Sequence, residues 1–97
     1  MTTVTVTPLE PGHYGVEITE GADRTGHEVV IDPRLLDDLD LVDYDETVIA
    51  REAVGFLLDR FPADGLSARI SLRDVDRMHP DFRTELRDRV AGRASGA

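Results

Sequence analysis

The sequence predicts an α+β domain: an N-terminal three-stranded antiparallel meander packed against a central helix, followed by two short C-terminal helices. Three observations carry this prediction. Residues 2–31 alternate apolar and polar side chains at period two, in short runs closed by Gly, Pro or Asp. After Asp32-Pro33 the apolar period lengthens to that of a helix, over Arg34 to Leu39 and, past a junction at Asp40 to Tyr44, over Thr47 to Phe61. Two further helical runs follow, divided at His79-Pro80.

The elements follow in chain order. Thr2 to Thr7 alternates Thr with Val, which reads as a half-buried strand with Val4 and Val6 inward. Pro8-Leu9-Glu10-Pro11-Gly12 has two prolines and a glycine in five residues and is expected as a loop. His13 to Glu20 alternates again, with Tyr14, Val16 and Ile18 on one face. Gly21 to Gly26 reads as a second turn, and His27 to Ile31 as the third strand. Asp32 is placed to cap a short helix that opens at Pro33 and carries Leu35, Leu36 and Leu39 on one side.

Asp43 or Asp45 is placed to cap the next helix, with Glu46 near its positive end. Thr47 to Phe61 is the strongest helical segment: Ile49, Ala53, Phe56, Leu57 and Phe61 line one face, and Val48, Val54 and Leu58 widen it. An arc this wide suits a helix lying across the sheet at the centre of the core. Leu66 to Ile70 is a candidate fourth short strand. Ser71 and Asp74 resemble a capping box for a helix bearing Leu72, Val75 and Met78. The last helix opens at Pro80 and repeats Phe82, Leu86 and Val90 every four residues. The 97 residues suit a single α+β domain over 1–91, with 92–97 as a flexible tail.

Charge is unevenly divided. Residues 1–65 hold four Arg against fifteen acids, net −11; residues 66–97 hold seven Arg against five acids, net +2; the chain is therefore at −9. All eleven basic residues are Arg, a bias expected of a high-GC bacterial genome. Without cysteine there is no disulfide, thiolate metal site or Cys nucleophile. No apolar run is long enough to span a membrane, and no secretory signal is visible, so a cytoplasmic protein is expected.

No motif for catalysis or cofactor binding stands out. There is no Gly-rich phosphate loop, and a Walker-type site needs a lysine that the chain lacks. Ser67, Ser71 and Ser95 lack the glycine-flanked elbow of a nucleophile. The acidic run Asp37, Asp38, Asp40, Asp43, Asp45 and Glu46 fails the EF-hand spacing, with Val42 and Ile49 at ligand positions. His13 and His27 would make a metal site with Glu17 or Glu28 only as cross-strand neighbours. No enzymatic activity, cofactor or metal is expected.

The expected function is a small acidic, non-catalytic protein-interaction module of adaptor, inhibitor or antitoxin type. Its candidate partner-binding residues are Asp37, Asp38, Asp40, Asp43, Asp45 and Glu46, which suit a basic partner. The Thr-rich edge strand suits strand addition by another protein or by a second copy in a homodimer. The alternative is a nucleic-acid-binding regulator using Arg73, Arg77, Arg83 and Arg87 on the C-terminal helices. Interleaved acids weigh against it, and Glu85 with Arg89 is an expected i,i+4 pair.

Overall fold

The computed structural model describes residues 2–95, and side chains through residue 92. The fold is α+β, as the alternating and helical periods predict. Its elements are β1 (Thr2–Glu10), β2 (His13–Glu20), β3 (Asp23–Val30), α1 (Pro33–Asp38), α2 (Glu46–Leu58), a 3-10 turn (Ala63–Gly65), β4 (Arg69–Ser71), α3 (Leu72–Met78) and α4 (Phe82–Ser95). The sheet order is β1-β2-β3-β4. The first three strands form the expected antiparallel meander. β4 runs parallel to β3, reached by the crossover through α1 and α2.

The strands outrun their expected ends because the turns are tighter than the composition suggested. Gly21 has φ +59 and Ala22 is not in the left-handed region, so a two-residue turn with Gly first joins β2 to β3, and Asp23 to Gly26 become strand. Pro11 and Gly12 (φ +80) form the other turn. That turn type splays flanking strands, and the register shift between Pro8 and Glu10 takes up the mismatch. Pro8 and Glu10 therefore belong to β1 and not to a loop.

One face of the sheet is apolar. Val4 and Val6 are half-buried, and Tyr14, Val16, Ile18, Val29 and Ile70 are buried on the same side. α2 lies on this face. Its Glu46 accepts a hydrogen bond from the Tyr14 hydroxyl at 2.7 Å, which fixes the side of the helix turned to the strands. Ala50, Ala53 and Leu57 share that side and are buried. A neighbouring side of α2 packs on α4, where the Phe56 and Phe82 rings meet edge to face at 5.0 Å. α2 is thus covered on two sides, which explains its wide apolar arc.

α2 ends at Leu58, three residues before the expected end, and Phe61 beyond it is 41% exposed. Met78, expected on the apolar face of α3, is 73% exposed. Ser71 occupies the N-cap position of α3 but makes no side-chain capping bond. Asp32 and Asp45 do cap: each accepts a backbone N–H, from Arg34 at 2.9 Å and Thr47 at 2.8 Å. The last helix is the longest, not short, because Phe82, Leu86 and Val90 are all fully buried against the core. It runs to Ser95, so most of the segment 92–97 expected as a tail is helical; residues 96 and 97 lie outside the described residues.

Candidate interaction surfaces

The acidic run divides by task. Asp37 and Asp38 end α1 and are exposed. Asp40 has φ +60 and follows the C-cap Leu39. Its N–H donates to Asp37 O at 3.2 Å, and the Leu41 N–H to Leu36 O at 2.8 Å. This is a Schellman closure with buried Leu41 folded back on buried Leu36, and Asp stands where glycine is usual. Asp45 is the α2 cap, also bonded to the Thr47 hydroxyl at 2.6 Å. Thr47's hydroxyl and backbone N–H hold the Asp45 carboxyl below the usual carboxylate range. Glu46 is taken by Tyr14. Burial, and then the Glu46 carboxylate, push the Tyr14 phenol up to about 12. Among the described residues, Asp37, Asp38, Asp40 and Asp43 form no ion pair and face solvent.

The Arg series does not make a separate basic face. Arg73 pairs with Asp32 at 2.7 Å, and Arg77 lies 3.8 Å from Asp74. Arg83 grips both oxygens of Asp76 at 2.8 and 2.9 Å. Arg87 lines a shallow groove with Asp40 and Asp88, so the acidic loop and α4 are neighbours. The expected Glu85–Arg89 pair gives way to tertiary partners. Glu85 goes to Arg60, which lies over the Phe56 ring. Arg89 reaches Asp59 and buried Glu52 across α2, in the space left by Gly55.

The histidines are separated. His27 is inward: its Nδ1–H donates to Ser67 O at 2.7 Å, and its Nε2 accepts from the Thr25 hydroxyl at 2.9 Å. His13 is on the other face, 2.6 Å from Glu28. Successive strand residues point to opposite faces, so the two imidazoles do not converge. Among the described residues no group of three or more His, Asp or Glu is placed to hold a metal ion.

The β1 edge is the most unusual surface. Glu28 N–H bonds Ala68 O, so Glu28 faces β4 and its β2 partner Gly15 must face β1. Carried across the register, Thr3, Thr5 and Thr7 bond β2, and Val4 and Val6 hold their N–H and C=O groups out to the free edge. Pro8 is in the same phase and has no N–H to leave unpaired. Edge strands are ordinarily blunted by a charge, a proline or a bulge; in β1 these are confined to the end, at Pro8, the register shift and Glu10, and Thr2 to Thr7 has none. The opposite edge is only three residues long and carries Arg69.

One surface was missed from sequence. Exposed Phe61 and Met78 and half-buried Leu66 rim a groove of about 320 Å³ beside β4. Helical spacing placed both exposed residues inward, whereas Phe61 lies beyond the end of α2 at Leu58 and Met78 is the last residue of α3. Compared with known proteins, the chain matches no family model, no curated protein and no solved structure. Among the described residues no helix is long and apolar enough to cross a membrane.

Proposed function

We propose that this chain is a small acidic, non-catalytic protein-interaction module that takes an extended strand of a partner onto the edge of β1. The observation that carries the reading is the outward phase of Val4 and Val6 on an edge strand with no charged side chain from Thr2 to Leu9. Each such residue offers one donor and one acceptor to an incoming strand. The carboxylates of Asp37, Asp38, Asp40 and Asp43 add a negative field that favours a basic partner and raises its encounter rate. The setting is cytoplasmic.

The nucleic-acid alternative has less support. Phosphate binding needs uncommitted guanidinium groups, and Arg73, Arg77 and Arg83 each already have a carboxylate within 4 Å.

The test is Val6→Pro. It removes one edge-facing N–H and leaves the β1–β2 ladder intact. Native mass measurement of the purified protein and of its complexes should show that binding, to itself or to another protein, is lost in the variant while circular dichroism is unchanged. Binding that ignores Val6→Pro, or a strictly monomeric chain without a partner, refutes the reading.

A further inference from the structure

We infer that the strand received at this edge is β1 of a second copy, paired antiparallel about a two-fold axis at Thr5. This rests on the reading of β1 as an acceptor edge and names its occupant. The segment Thr3-Val4-Thr5-Val6-Thr7 reads the same in both directions. A two-fold interface brings one patch against itself, so the strand must be complementary to its own reverse. Centred on Thr5, the register sets Thr5 opposite Thr5, Val4 opposite Val6, and Thr3 opposite Thr7.

Four features agree with this register. Val4 and Val6 carry the outward backbone groups, so each Val4–Val6 pair exchanges two hydrogen bonds. The same valines are half-buried on the inner face, and pairing them covers what α2 leaves open. The threonines are exposed on the outer face and meet as cross-strand Thr pairs. Pro8 falls opposite Thr2, at the end of the ladder, where its missing N–H costs least. The two four-stranded sheets then run on as one, with both helical layers on the same side.

Charge selects the place. Two chains of net −9 repel, and β1 is a stretch without carboxylates from Thr2 to Leu9. Self-association therefore tightens as salt rises, because screening weakens the repulsion. A complex with a basic partner responds in the opposite direction.

The natural chain has no cysteine, so single cysteines report the register directly. Thr5 faces its own copy as a non-hydrogen-bonded pair, with Cα atoms about 4.5 Å apart, inside disulfide range. Thr3 and its copy are four residues out of register, about 13 Å apart. Under mild oxidation, Thr5→Cys should give a covalent species of twice the 10.7 kDa chain mass. Thr3→Cys and Thr7→Cys should each stay monomeric under denaturing, non-reducing conditions and should cross-link to one another when mixed. Thr5→Glu and Thr5→Lys should each abolish the dimer, and their mixture should restore it. Failure of Thr5→Cys to cross-link, or equal cross-linking through Thr3→Cys alone, overturns the assignment. If that happens while a different protein is still held in a manner sensitive to Val6→Pro, only the second copy is wrong. If no such complex exists either, the acceptor-edge reading falls with it.

Discussion

Replacing Tyr14 by Phe removes one oxygen from the joint between the sheet and α2. The Tyr14 ring is buried, and its hydroxyl donates to Glu46 at the first turn of the helix. Below pH 10 that bond to a carboxylate stabilises the fold. The phenol is pushed from 10.0 to about 12 in the folded chain. A group with a raised folded value contributes fully below its unfolded value and loses the contribution as pH climbs through the folded one. The window is therefore pH 10 to 12. Moving the phenol pKa from 10.0 to about 12 in a dry site, through burial first and Glu46 second, corresponds to about 2.7 kcal/mol between its two protonation states. The ring, however, forms part of the wall of an open groove. Water there reduces the effect to about 1–1.5 kcal/mol, in line with one net hydrogen bond. Urea denaturation followed by circular dichroism should show Tyr14→Phe less stable by that amount at pH 8. The two proteins should converge by pH 12, because only the wild type has a phenolate to bury at this joint. A constant offset across pH 8 to 11.5, or none at pH 8, would refute the reasoning.

Three further outcomes are expected. Asp45→Ala should cost about 1 kcal/mol through loss of the α2 cap. Asp32, held low by the Arg34 N–H and then by Arg73, and Asp45, held low by Thr47, contribute in full above the ordinary carboxylate value of 3.8 and lose that contribution as pH falls from there through their lowered folded values. An acid titration of Asp45→Ala should therefore show a shallower loss below pH 4 than the wild type. His27→Leu should cost about 1 kcal/mol by leaving Ser67 O without its donor, and amide exchange at Glu28, which bonds Ala68 O, should accelerate ahead of the β2–β3 amides. Asp40→Gly should stabilise the chain by about 0.5 kcal/mol, because glycine occupies the left-handed position without Cβ strain, and calorimetry should find the melting point raised by about 2–4 °C.

Local chemistry determined a good deal. The Thr-Val alternation of β1, the Tyr14-Val16-Ile18 face, the Asp32-Pro33 helix start and the His79-Pro80 break can each be read from neighbouring residues, because strand period, capping and proline geometry act over a few positions. The acidic run was also visible as a charge pattern. Its division into cap, helix closure, Tyr14 acceptor and solvated carboxylates was not, since each task depends on a group distant in sequence or on a backbone angle. Tertiary structure alone decided that β4 joins parallel, that Glu85 and Arg89 leave each other for Arg60 and Asp59, and that Phe61 and Met78 face solvent. It also decided which backbone groups of β1 point to the free edge. A strand's sequence sets which side chains share a face, but the direction of its N–H groups follows from the register of every strand between it and β4, a relation that spans the whole sheet.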